Sequence, residues 1–218
     1  MSIPLFPELQ AHVVQLLAEA PLIPPARQQL LQQLAAYLRQ QTAREAPLAL
    51  HFICTHNSRR SQIAQVWAAT AAAYFAIPNL TTYSGGTEAT AFNPRAVAAL
   101  ERVGFRITHP GGDNPHYQVQ AGSDLPPLVC FSKTIGDGRN PQTGFAAIMT
   151  CAEADESCPL VPGAAWRLAL TYEDPKVADD TPAEADRYDE RVAQIGRELL
   201  YAFHLVIHHH PDHVNDHE

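Results

Sequence analysis

Cys54 stands six positions before Arg60, and Ser61 follows directly. The full run is Cys54-Thr55-His56-Asn57-Ser58-Arg59-Arg60-Ser61. These types at this spacing suit oxyanion chemistry. A thiol held among N–H donors and cations ionises more readily, and the thiolate is the nucleophile. Arg60 offers a planar fork that grips two oxygens of a tetrahedral anion. Ser61 can donate its hydroxyl to the sulfur. Asn57 tolerates left-handed backbone and can brace a tight loop.

The chemistry requires an element on each side of the run. Residues 48–53 are apolar and partly β-branched, which predicts a buried strand. From Arg60 to Trp67 apolar residues recur at helical spacing, which predicts a helix. In a strand–loop–helix of this kind, loop N–H groups and the free N–H groups of the first helical turn converge on one anion. The residues around that anion are then Thr55, His56, Asn57, Ser58, Arg59, Arg60 and Ser61. A bare C-x5-R match is common by chance. One set between an apolar strand and an amphipathic helix, with Ser after Arg, is much rarer.

Residues 54–67 resemble the phosphate-binding loop and first helix of the low-molecular-weight protein tyrosine phosphatases. They equally resemble the thioredoxin-coupled arsenate reductases that share that fold. The family usually has Gly where His56 stands, and often a second cysteine where Arg59 stands. Ser84-Gly85-Gly86-Thr87 followed by Asn93-Pro94 resembles the family's second strand and helix. The resemblance implies an α/β fold, a doubly wound parallel sheet of the low-molecular-weight phosphatase type, with the anion site at the carboxyl ends of the strands.

A second group of residues follows the predicted strand 145–150. Cys151 and Cys158 lie seven apart on one loop or partly helical segment, at the sheet edge expected to carry the Cys54 loop. The pair, with Pro159, Pro162 and Gly163 behind it, resembles the redox segment of the arsenate reductases. That resemblance implies a relay: Cys54 attacks arsenate, Cys151 attacks Cys54, and Cys158 closes a disulfide that thioredoxin reduces. Each thiol–disulfide step needs a fresh attacking thiolate. Asp174-Pro175 resembles the superfamily's Asp-Pro, in which the aspartate is the general acid. Aromatic residues often follow that pair in the tyrosine phosphatases; here Lys176 and Val177 follow, and Tyr172 is the aromatic left to wall a slot. Cys130 reads as a buried strand residue.

Three functions compete. The first is an arsenate reductase with a three-cysteine relay of Cys54, Cys151 and Cys158, Arg60 as clamp and Asp174 as acid. The second is a phosphatase hydrolysing phosphomonoesters, with a phosphotyrosine protein as partner. The third is a phosphate-binding or redox-sensing protein without turnover. No cofactor and no metal are expected.

The remaining sequence sets the surroundings. Net charge is −8 over 218 residues, which argues against binding nucleic acid nonspecifically. Residues 1–7 lack the basic start and long apolar core of a secretory signal, and no apolar run is long enough to cross a bilayer. Four cysteines in a chain of this length do not form a disulfide scaffold. The expectation is a cytoplasmic protein with no membrane contact. Residues 1–46 read as a helical extension, with Leu9, Val13, Leu16 and Leu17 on one helix and Leu30, Leu31, Leu34, Tyr37 and Leu38 on the next. That hairpin offers a surface for docking on the main domain, for a homodimer or for covering the site. Residues 47–207 form the predicted catalytic domain. Within it, 109–144 is an insertion with a hairpin at 117–119 and 128–132, residues 166–172 read as the last strand, and Thr181-Pro182-Ala183-Glu184 as a capping box opening the last helix. Residues 208–218 are His-rich and read as a polar tail rather than a metal site.

Overall fold

The computed structural model describes residues 4–208. The His-rich residues 209–218 lie outside the described residues. Two helices come first, α1 (Pro7–Ala18) and α2 (Pro25–Thr42), each with Pro at its first position, where the missing N–H costs nothing. Then β1 (Leu48–Cys54), α3 (Arg60–Tyr74), β2 (Leu80–Gly86) and α4 (Pro94–Arg102) alternate. Three short strands follow, β3 (Arg106–Thr108), β4 (Tyr117–Gln120) and β5 (Leu128–Cys130). The chain ends with β6 (Phe145–Met149), α5 (Ala152–Ser157), β7 (Ala164–Ala169) and α6 (Glu184–Ile207).

The central sheet is parallel, in the order β2-β1-β6-β7. Chain order runs outward in opposite directions from β1 and β6. The carboxyl ends of those two strands are therefore where the connections part and a ligand crevice opens. Alternation along β1 sorts the core. Leu48, Leu50 and Phe52 pack with α3, α6 and the N-terminal helices, whereas Ile53 packs with Ala147 and Met149 of β6 and Ala154 of α5. The second face is thinly covered: among the described residues its one helix is α5, six residues long.

The N-terminal hairpin is part of the main core. Leu9, Val13, Leu16, Leu31, Leu34 and Leu38 are fully or nearly fully buried in one cluster with Trp67 and with Ile195, Leu199 and Phe203 of α6. The apolar stripes that offered a subunit surface are thus covered within the chain. The approach of α6 is close, since a Cβ at Gly196 would stand 2.6 Å from the Trp67 ring. A polar link joins the hairpin to the domain at depth. The Arg27 Nε donates to Glu198 Oε2 at 2.8 Å, Glu198 is 2% exposed, and the guanidinium lies 4.5 Å over the Tyr172 ring. Gln194 satisfies the other oxygen of Glu198 at 3.1 Å.

Three sequence expectations change. The 117–119 and 128–132 hairpin forms as β4 and β5, but β3 joins it to make a three-stranded antiparallel sheet. Its three residues carry too little pattern to announce a strand. The last strand is Ala164–Ala169, earlier than the expected 166–172, and the next residues extend the ladder as single bonds from Leu170 N–H to Met149 O and Tyr172 N–H to Thr150 O. The capping box does not form: α6 starts at Glu184 with no side-chain cap. Thr181 instead donates to Ala178 O, and the Glu184 carboxylate accepts from Asp180 N–H, so both residues fasten the preceding turn. Among the described residues, no helix is long and apolar enough to cross a membrane.

Breaking a buried ion pair strands a charge. Arg27→Met should lower stability by about 3 kcal/mol in urea unfolding. Adding Glu198→Leu to that variant should recover most of the loss, because no buried charge is then left unpaired.

Candidate active site

β1 delivers Cys54 to the crevice, and α3 begins at Arg60, so the five residues between them form the loop. The Cys54 sulfur lies 3.0 Å from Ser61 Oγ. Ser61 Oγ accepts from Asn57 Nδ2 at 2.9 Å, which leaves the hydroxyl proton free to point at sulfur. Asn57 has φ 46°, the left-handed geometry that Asn tolerates. No other residue of the loop has positive φ, so His56 occupies a position that does not require glycine. Its imidazole is half-exposed outside the loop, 3.6 Å from the Glu88 carboxylate.

The loop is held from outside by its carbonyls. Thr87 N–H donates to Cys54 O, Glu88 N–H to Thr55 O, Ser132 Oγ to His56 O at 2.9 Å and Asn93 N–H to Ser58 O. Among the described residues, no acceptor takes the N–H groups of residues 55–59, which leaves them available to an anion. Ser58 spends its hydroxyl on Ala91 O. Gly86 at the end of β2 permits this packing: a Cβ there would be 2.6 Å from Thr55 O and 2.7 Å from Asn57 N.

Arg60 is 6% exposed. One nitrogen donates to Tyr172 O at 3.0 Å and lies 3.6 Å from the Glu153 carboxylate, and the other meets Asp174 Oδ2 at 2.7 Å. The Asp174 Oδ1 accepts from Lys176 N–H at 3.0 Å and caps the short 3-10 helix Pro175–Ala178. The structure therefore brings Cys54, Ser61, Arg60 and Asp174 together. The side chain of Arg59, expected among the residues around the anion, turns elsewhere. It donates to the Tyr188 hydroxyl at 2.7 Å and to Asp179 at 3.2 Å, so its side chain fastens the Asp174 segment. Tyr188 is pushed up to about 12, first by burial. Tyr172 does not wall a slot: its ring is buried beneath Arg27, and its carbonyl is what faces Arg60.

The cysteine pair lies next to the same loop. Cys151 is fully buried, with its sulfur 3.5 Å from Thr55 Oγ1 and accepting Ala154 N–H at 3.4 Å, which caps α5. Burial pushes its thiol up in pKa, opposed by those two hydrogen bonds. Cys158 follows the last residue of α5 and packs at the edge of a cluster shared by Cys54, Cys151, Met149 and Val161. All four cysteines are free thiols. With α5 helical, the rise of ~1.5 Å per residue separates the pair by roughly 10 Å, beyond the ~7 Å a bridge spans. Cys130 lies outside this group, buried and pushed up to about 12. No group of ligands fit to hold a metal ion occurs among the described residues.

Sequence reasoning missed the residues that fasten the loop from beneath. Gln62 Nε2 donates to Phe131 O at 2.8 Å and reaches Asn57 O and Oδ1 at 3.1 and 3.2 Å. Lys133 N–H donates to Asn57 Oδ1 at 2.9 Å. The available signal was a glutamine on a helix buried nearly all round. Gln62→Leu should cost about 1–3 kcal/mol in urea unfolding, because the Phe131 carbonyl loses its partner in the interior. Gln62→Glu should cost at least as much, since it replaces the donor with a second acceptor facing carbonyls.

No family model matches the chain. Curated relatives do. It is 28% identical to the arsenate reductase of Bacillus subtilis (strain 168) over 151 residues, which cover 69% of this chain and 91% of the relative. It is 27% identical to the arsenate reductase of Shouchella clausii over 143 residues, covering 66% and 85%. A solved low-molecular-weight phosphotyrosine phosphatase from Vibrio cholerae O395 aligns at 16% identity and a TM-score of 0.46, over 71% of this chain and 93% of that one. By sequence the chain is similar to arsenate reductases over about two thirds of its length, and its central sheet is parallel.

Proposed function

We propose that this chain reduces arsenate through a relay of three thiols. The observation that carries the proposal is the position of Cys151, whose thiol touches Thr55 of the nucleophile loop while Cys158 waits at the far end of the same short helix. The loop N–H groups and Arg60 hold the oxyanion. The Cys54 thiolate attacks arsenic(V), and Asp174 protonates the departing oxygen. Cys151 then attacks the Cys54 sulfur. The electron pair of the sulfur–arsenic bond passes to arsenic, arsenite leaves as arsenic(III), and a Cys54–Cys151 disulfide remains. Cys158 attacks Cys151, freeing Cys54 as thiolate and closing Cys151–Cys158. An external dithiol, of which thioredoxin is the candidate, returns the pair to thiols.

Hydrolysis of phosphomonoesters is the second reading. Arg60 and Asp174 at 2.7 Å support it, because a phosphocysteine on Cys54 needs only an acid and water. The buried ring of Tyr172 and the Lys176-Val177 pair after Pro175 offer no aromatic wall for phenyl phosphate, which favours a small oxyanion. The third reading, a non-catalytic sensor, draws on His56 standing where the family usually has Gly, and His56 does not have the positive φ that would call for glycine.

Cys54→Ser should abolish arsenate reduction and aryl phosphate hydrolysis alike, because a hydroxyl is not ionised in the thiol's place. Peptide mass mapping after arsenate without reductant should find Cys151–Cys158 in the native protein. In Cys158→Ser it should find Cys54–Cys151 after a single turnover, with aryl phosphate hydrolysis retained. Both relay cysteines free beside steady hydrolysis would leave the phosphatase reading alone. Asp174→Asn should slow hydrolysis by about 10²–10⁴-fold for poor leaving groups, and by less for groups that need no proton.

A further inference from the structure

The relay segment is a helix of six residues, too short to persist without help. Its first turn is capped by the Cys151 sulfur. Its last turn is held from another strand. Arg167 of β7 donates from Nη2 to Asp155 O at 2.9 Å and to Cys158 O at 3.2 Å, and pairs with the Asp155 carboxylate. Two terminal carbonyls and the negative end of the helix dipole thus face one guanidinium. These contacts fall on Asp155 and Cys158, in the second half of the segment.

We propose that Arg167 is a positioning residue that latches α5 and thereby sets the redox poise of the Cys151–Cys158 pair. This rests on the relay reading above. Closing the bridge requires α5 to unwind, because the helix keeps the two Cα atoms too far apart. Unwinding carries the Asp155 and Cys158 carbonyls away from Arg167. The bonds to Arg167 therefore exist in the dithiol and not in the disulfide. They favour the dithiol, make the disulfide the stronger oxidant, and ease its return by an external dithiol. They also hold Cys158 back until Cys151 has joined Cys54. At that stage the Cys151 sulfur is committed to a bond and caps the first turn less well, while Arg167 still holds the last turn.

The test uses the full chain equilibrated in mixtures of glutathione and glutathione disulfide, with no arsenate. The balanced step is two protein thiols plus one glutathione disulfide giving the Cys151–Cys158 disulfide plus two glutathione. Mass mapping reads the fraction bridged. Arg167→Met should shift the equilibrium about tenfold toward the bridge, roughly 30 mV lower in potential. Arg167→Lys, which keeps a cation and donor near the helix end, should recover part of the shift. Asp155→Asn, which keeps the two carbonyls, should move it less than Arg167→Met. An unmoved equilibrium in a folded Arg167→Met protein, or in both milder variants should that one fail to fold, overturns the assignment. If arsenate yields the native bridge while these equilibria stay unmoved, the relay stands and the latch falls. If the equilibria move but arsenate yields no bridge, the latch stands and the arsenate reading falls.

Discussion

A buried guanidinium has to be answered on every side, and the answer given to Arg60 organises this protein. Its partners come from two separate segments: the run beyond β7, with the Tyr172 carbonyl and the Asp174 carboxylate that caps the next turn, and α5, with Glu153. A cation nearly out of water is costly unless its donors are met. Asp174, α5 and the Cys54 loop are thereby drawn to one point. The N-terminal hairpin reaches the same point from behind, because Arg27 lies over the Tyr172 ring while pairing with Glu198. The extension that read as a separate region in sequence backs the residue whose carbonyl orients Arg60.

The loop depends equally on the inserted segment. Phe131, Ser132 and Lys133 supply a carbonyl, a hydroxyl and an N–H to Gln62, His56 and Asn57. The same segment pairs with the end of β2, with Gly86 N–H to Lys133 O and Ile135 N–H to Gly86 O. A loop that must present its own N–H groups to an anion cannot also spend them on its own support. The support therefore comes through carbonyls and side chains, and long-range segments provide it. Arg59 shows the same economy at the other rim, where its charge is spent on Asp179 and Tyr188 and steadies the segment carrying Asp174.

The thinly covered face of the sheet has a complementary role. Packing on the first face is deep and continuous, from the N-terminal helices through Trp67 to α6. The second face carries only α5 among the described helices, with Cys151 and Cys158 at its ends. The unwinding proposed for α5 is least costly on such a face, since local opening costs least where contacts are fewest.

The sequence by itself determined the loop from Cys54 to Ser61. Strand, Cys54, Asn57, Arg60, Ser61 and helix are contiguous, and local backbone preference with hydrophobic periodicity is enough to specify such a unit. It also determined the parallel alternation and the helical character of residues 7–42. Tertiary structure alone decided the rest. That Arg59 turns to Asp179, that Tyr172 offers its carbonyl to Arg60 and hides its ring, and that Arg167 grips the end of α5 are contacts between segments that the fold brings together, whereas the turn that Thr181 and Glu184 secure is a local alternative to the cap. Side-chain direction in each is set by which partner lies within about 3 Å. That depends on how strands and helices register against one another, which no local pattern encodes.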